Sequence, residues 1–486
     1  MLIRFAAWRP DNALLNSPYA SDIKNVLCAE ASYLPFPQLR PFSQAVPAQP
    51  LGGITVRDNS GGVHIFVGTA TKLYKLNTAT LAWTDVSKPA TTYAATADNR
   101  WRFKQYGNYV VAVNINNDPQ VYQLNSSTTF DDLAGNPPRA KHIAVCGDFL
   151  CLMDDTTFYW SEVDDISVWS GGNAGSQSFP DGGIIQGATD TTNPVIFQKA
   201  AIRWAQFIPG STEVFSFQKR HDQRGCASPY SICTRGEFTF FADVGAFYQI
   251  NSDGSQILPI GFEKVDRTFF GDISGPALTT IFGEIDPFYP RVYFAVARGN
   301  SESTLFNGLL VYDWQIGEWT QIETSASIYF PLPSGTIGYT LEGLDAIGDL
   351  ESLPYSLDSK VWQGGAPVMA AIDADFKLGF FQGGAAEATL VTQEMGDTAG
   401  GRQRLSQATP IVDVDNLWKI TVSVGARFRR SDAFVWGAER VPSSNTGVVQ
   451  VRSRAGYHKF KLRIEAEASW SHAQGIDVTA TSAGLR

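Results

Sequence analysis

Histidine, methionine and cysteine are scarce here, at five, four and five of 486 residues. The histidines, His64, His142, His221, His458 and His472, show no HxH, HxxxH or HExxH spacing, so no metal-ligand pair is legible. The cysteines stand at 28, 146, 151, 226 and 233, an odd number with no CxxC pair. That pattern predicts buried free thiols in a reducing compartment rather than a disulfide framework. Neither a GxSxG elbow nor a GxxxxGK(S/T) phosphate loop occurs, and no cofactor is expected. No window approaches the roughly 18–20 apolar residues of a membrane helix. The opening MLIRFAAWRPDNALL has neither the apolar stretch nor the cleavage pattern of a secretory leader, so no membrane span and no leader are predicted.

Helical spacing of apolar residues is nearly absent as well. Short β-branched and aromatic runs bounded by turn residues dominate, with 44 Gly and 25 Pro. This predicts an all-β chain with many turns. Apolar content of 44% is enough for a packed core, and the length suggests two or three domains or one repeat architecture.

One aromatic hairpin recurs. KLYKLNTATLAWTDVS (72–87) reads as strand, turn, strand, and LLVYDWQIGEWTQI (309–322) repeats the pattern. Between and beyond them, strand candidates begin at HIFVGT (64), YVVAVNI (109), HIAVCGDFLCLM (142), VIFQKAAIRWAQF (195), EFTFFADVGAFYQI (237), RVYFAVAR (291) and GYTLEGLDAI (338). Most are followed by an apolar-aromatic pair: Leu73-Tyr74, Val121-Tyr122, Tyr159-Trp160, Phe247-Tyr248, Val311-Tyr312 and Val361-Trp362. Units of roughly 40–60 residues with about four strands each predict a β-propeller of six or seven blades, with the aromatics wedged between sheets. Two stacked β-sandwiches are the alternative, and they would need no common period.

The expected organisation is an extended N-terminal arm (1–50), a β-propeller-like domain (51–384) and a C-terminal antiparallel β-sandwich (385–486). Seven prolines within the first 50 residues argue against regular sheet over most of the arm. Its Tyr33, Phe36 and Phe42 are candidate contacts with another surface. The C-terminal part breaks the period, and WKITVSVGARFRR and YHKFKLRIEAEASW alternate as half-buried strands. Residues 400–486 hold 13 basic and 7 acidic side chains, a net +6, so the rest carries −16 of the total −10. Arg427, Arg429, Arg430, Arg452, Arg454, Lys459, Lys461 and Arg463 are expected to form one basic face, either plain solvent-facing strand positions or a contact for an acidic partner or nucleic acid.

Acidic side chains give less. Asp131-Asp132, Asp154-Asp155 and Asp164-Asp165 suggest a glycosidase pair only if they face one another across a pocket. Their settings, such as LMDDTTF and EVDDISVW, suit turn roles better. DVDN (413–416) lacks the glycine and distal glutamate of a calcium loop.

Two stretches resemble a known family. In the C-terminal region the matching positions are Thr392, Glu394, Pro410, Val412, Asp413, Tyr457, His458, Arg463, Trp470, Ala473, Gly475, Ile476, Asp477, Val478, Gly484 and Arg486. These resemble the ends of phage and prophage tail proteins, with Ala455-Gly456 replacing the usual Gly-Arg pair. In the middle region, Pro180-Asp181-Gly182-Gly183-Ile184-Ile185 and the hairpin Ser211, Thr212, Glu213, Phe215 resemble the propeller of short-tailed phage tail nozzle proteins, also called packaged-DNA stabilisation or tail accessory proteins. The turn carries one extra glycine and the hairpin is one residue tighter.

The resemblance implies a homohexameric structural protein of the virion tail, assembled in the host bacterial cytoplasm. It would sit below the portal–adaptor complex, retain and conduct double-stranded DNA, and carry needle, fibre or spike proteins. It implies no enzymatic activity. Within that reading, an acidic lumen lets DNA slide without sticking. The basic C-terminal residues named above become subunit or adaptor contacts, and the arm lies on a neighbouring subunit or returns to the sandwich. Two rivals remain open: a glycan-degrading propeller enzyme, and a receptor- or glycan-binding module using loop aromatics such as Trp169, Phe179 and Tyr230.

Overall fold

The computed structural model describes residues 1–13, 17–273, 275–297, 305–333, 367–396 and 401–484. The run at 338, the Val361-Trp362 pair and Arg486 lie outside the described residues.

Among the described residues, seven four-stranded antiparallel sheets follow one another along the chain. In chain order, blades 1 to 6 occupy residues 50–85, 102–132, 142–178, 185–222, 233–259 and 282–322. Blade 7 combines Ala326–Pro333, Pro367–Asp373 and Lys377–Ala385 with Pro37–Ala45 from the N-terminal region. First strands of successive blades touch one another from blade 1 to 4, from 5 to 7, and from blade 7 back to 1. Blades 4 and 5 share the core of Val195, Phe197, Phe241 and Ile250. The ring therefore closes as a seven-bladed propeller.

Each blade's second strand is covered on both sides by neighbouring blades, which is why these runs are continuously apolar. Val110–Val113, Leu150–Met153 and Val292–Val296 are buried throughout. The recurring aromatic pairs fall on the third strands. Tyr74 pairs with Asp85 and Tyr312 with Trp319, each across the hairpin to the fourth strand. Their rings, with others, fill the gaps between blades. Phe66 packs on Tyr122 and Phe130 with centroids 5.0 and 5.6 Å apart, and Phe247 lies 4.5 Å from Phe294. Blade 7 has Phe380-Phe381 on its third strand.

Two six-stranded sheets form the sandwich. Sheet I runs Val26–Cys28, Tyr33–Pro35, Trp470–Ser482, Gln403–Val414 and Val449–Ala455, with Leu2–Arg4 also on Trp470–Ser482. Sheet II runs Asp22–Lys24, Ala388–Val391, Tyr457–Ile464, Ile420–Arg427 and Val435–Trp436, with Met395–Gly396 added to Tyr457–Ile464.

The expectation of an irregular arm is corrected. Residues 1–50 supply strands to both sandwich sheets and the outermost strand of blade 7. Prolines do not prevent this, because Pro37 and Pro41 lie on an edge strand, where a missing N–H is harmless. Pro10, Pro18 and Pro47 fall between strands.

The sandwich joins the propeller at blade 6. Asn25, in a left-handed conformation (φ 58°), donates its N–H to the Gln321 carbonyl at 2.9 Å. Its side-chain oxygen accepts the Glu323 N–H at 2.7 Å, and its amide donates to the Glu387 carbonyl at 2.8 Å. One continuous core runs from Phe247, Phe294 and Trp319 of blades 5 and 6 through Phe5, Trp8 and Val26 to Val422, Leu462 and Ile476.

Candidate functional site

The basic residues singled out above do not share one face. Val449–Ala455 belongs to sheet I and Tyr457–Ile464 to sheet II, because the chain crosses between sheets at Ala455-Gly456. Val449 and Val451 point inward, so Arg452 and Arg454 project from sheet I. Lys461 and Arg463 project from the opposite side of the sandwich, on sheet II. The expectation of a single basic face is corrected for that reason.

Several of these cations are also engaged within the chain. Arg427 makes a forked ion pair with Glu394, both oxygens at 2.7 Å, with the side chains 12% and 1% exposed. Lys459, expected to face outward, is buried beneath the Phe434 ring at 4.8 Å. Burial lowers its pKa. Arg463 pairs with Glu387 at 2.6 Å and with Glu439 at 3.6 Å, and hydrogen bonding to Glu387 raises its pKa. Lys461 sits over Trp436 at 4.9 Å. Arg430 donates to the Tyr457 hydroxyl at 2.8 Å, and Arg454 to the Ala483 carbonyl at 2.9 Å. Arg429 and Arg452 remain solvent-facing.

Around the sheet II cations lies a feature that charge reading missed. The segment after Ile420–Arg427 carries exposed apolar side chains: Phe428 60%, Val435 74%, Trp436 37% and Val441 49%. Trp418 nearby in sequence is 61% exposed. Arg402 stacks on Phe428 at 5.4 Å and Arg427 on Phe434 at 4.7 Å. Val435–Trp436 is a two-residue strand at the edge of sheet II. Aromatic and arginine-rich fringes of this kind suit burial against a protein surface. The FVWG run at 434–437, apolar between charged neighbours, was the available signal.

The arm aromatics contact their own chain. Tyr33 donates its hydroxyl to the Ala6 carbonyl at 2.8 Å. Phe36 meets Phe381 at 5.2 Å, and Phe42 stacks on Phe380 at 4.8 Å. Of the two arm placements expected, the return to the sandwich is observed, with closure of blade 7 in addition.

The acidic pairs take turn and ion-pair roles. Asp131 and Asp132 form the outer strand of blade 2, and both reach Lys88. Asp155 and Asp164 have positive φ of 47° and 56°. Asp165 accepts the Ser167 N–H at 2.8 Å. A groove of about 250 Å³ lies beside the arm strand and contains Glu323 and Asp373. Glu323 pairs with Lys24, and Asp373 holds the turn N–H groups of Asp375 and Lys377.

The loop aromatics proposed for ligand binding are not displayed. Phe179 is buried, Tyr230 is buried, and Trp169 is half-buried with its N–H on the Ile166 carbonyl. Among the described residues no cluster of three or more His, Cys, Asp or Glu can hold a metal ion, and no helix is long and apolar enough to cross a membrane.

No protein-family model and no curated protein matches this chain. Among solved structures, it is similar to the extracellular domain of a hybrid two-component system from B. thetaiotaomicron, with TM-score 0.44 and 11% identity over 81% of this chain. The chain spans 45% of that protein's length. It is also similar to the Neurospora crassa Pan2 WD40 domain, with TM-score 0.38 and 9% identity over 63% of this chain and 90% of that one.

Proposed function

We propose that this chain is a structural subunit of a short-tailed phage tail nozzle, working as a homohexamer below the portal–adaptor complex and conducting DNA without catalysis. The reading rests first on the sequence resemblance. The observation that supports it best is the exposed aromatic fringe of Phe428, Val435, Trp436 and Val441 on the net-basic sandwich of an otherwise acidic chain. Such a fringe exposes apolar surface that gains stability when a second protein covers it. The opposed charges of the two parts favour contact between one subunit's sandwich and an acidic neighbour, be it adaptor or adjacent copy. Residues 1–50 contribute strands to both the sandwich and blade 7, which ties the two parts together, as a load-transmitting tail part requires.

The test is reconstitution with the portal–adaptor complex of the corresponding phage. Electron microscopy is expected to show six copies added below the adaptor ring. A chain that stays unbound at micromolar concentration, or that cleaves host capsule or lipopolysaccharide, contradicts the proposal.

A further inference from the structure

The propeller carries an exposed aromatic surface of its own. It sits on the loop joining the first two strands of blade 6, residues 286–290. Phe288 is 62% exposed and Tyr289 50%, and their rings meet edge to face with centroids 5.0 Å apart. Ile316, on the loop joining the last two strands of the same blade, is also exposed. The two loops are tied together, because Trp314 donates its N–H to the Pro290 carbonyl at 3.0 Å.

Polar groups hold the aromatic loop in place. Asp286 is buried, and one of its oxygens accepts the N–H groups of Phe288 and Tyr289, each at 2.9 Å. Its other oxygen accepts the Tyr293 hydroxyl at 2.9 Å. Arg235, from blade 5, donates to the carbonyls of Asp286 and Tyr289 at 2.7 Å and to that of Phe288 at 3.2 Å. The Arg291 guanidinium lies 4.7 Å from the centre of the Tyr289 ring. A loop fixed in this way loses little freedom when a partner covers it, and its two rings gain by leaving water.

The sandwich fringe of Phe428, Val435, Trp436 and Val441 lies elsewhere. Sheet II meets blade 6 through its first strand, where Asp22 accepts from Gln321 at 2.8 Å and Lys24 pairs with Glu323. Val435–Trp436 is the strand at the opposite edge of that sheet, four strand spacings away, or about 19 Å. Both surfaces are open in the single chain, so neither covers the other. Charge decides between the ways in which two copies can meet. Fringe against fringe sets two parts of net +6 together, whereas fringe against propeller sets +6 beside a part of the chain that carries −16.

We propose that the Phe288–Tyr289 loop of one copy docks on the sandwich fringe of a second copy of this chain. Each copy then offers a different surface on each side, so repetition builds a ring rather than a two-fold pair. This pairing rests on the reading of the fringe as an assembly surface, and adds what covers it.

The test is cross-linking of the full-length chain with a short bismaleimide. Tyr289→Cys and Val435→Cys replace exposed side chains, while the native cysteines are buried or half-buried. The two variants are mixed before assembly, with and without the portal–adaptor complex. A cross-linked pair of chains is expected from the mixture, and from neither variant alone nor the parent. Phe288→Ser/Tyr289→Ser, with unchanged circular dichroism, is expected to weaken self-association about tenfold or more, the loss of two covered rings. Hexamers that yield no cross-linked product from the mixture overturn this pairing and leave the nozzle reading standing. So does a Val435→Cys chain that cross-links to itself. A parent that stays monomeric in both conditions overturns the pairing and the nozzle reading together.

Discussion

Arg427 and Glu394 show how much one side chain's setting matters. As part of RFRRSD, Arg427 reads as a solvent cation, yet it forks onto a carboxylate that is only 1% exposed. Removing one partner of such a pair leaves an uncompensated buried charge, at a cost of about 3–5 kcal/mol. Arg427→Met should lower unfolding free energy by that order in urea titration, and adding Glu394→Leu should recover part of the loss. Asp266 makes the opposite case. Burial raises its pKa to about 7, and its Oδ2 has no partner. The folded chain therefore holds a proton that the unfolded chain releases above about pH 4. The associated stability is present below that point and is lost as pH rises toward 7. Asp266→Asn should be close to neutral at pH 4 and stabilising on the order of 2 kcal/mol at pH 8, read from denaturation at the two pH values. Neither environment is written in local sequence, because both depend on residues brought in from other strands.

At the scale of elements, the repeat was legible and the closure was not. Each third strand carries an aromatic because it must fill the wedge between sheets, so local pattern and global position agree, as at Tyr74, Tyr122 and Tyr312. The period stops where Lys377–Ala385 ends blade 7 and Ala388–Val391 enters sheet II. The fourth strand of blade 7 is different: its partner, Lys377–Ala385, is more than 330 residues away from Pro37–Ala45. Its prolines mark it as irregular until the edge position is known. The basic residues misled for a related reason, since a crossing between sheets at Ala455-Gly456 reverses which side of the sandwich the alternation faces. The closure makes a local prediction. Phe42→Ser removes the stack on Phe380 and should speed amide exchange in Lys377–Ala385 by about tenfold, leaving blade 3 unchanged. Equal acceleration in both blades contradicts closure by this strand.

At the scale of the whole molecule, a seven-bladed propeller and a sandwich are welded through one core by an N-terminal segment that serves both. Charge is split between them, and an exposed aromatic fringe lies on the basic part. The proposed role, a subunit covered by a second protein, would account for both features. The most direct measurement is the mass of the purified chain by native mass spectrometry, alone and with the portal–adaptor complex. The parent is expected to form hexamers, by itself or on the adaptor. A Phe428→Ser/Trp436→Ser variant, with unchanged circular dichroism, is expected to remain monomeric in both conditions. A parent chain that stays monomeric with the adaptor present, or a hexamer indifferent to the double substitution, contradicts the assignment of this fringe as the assembly surface.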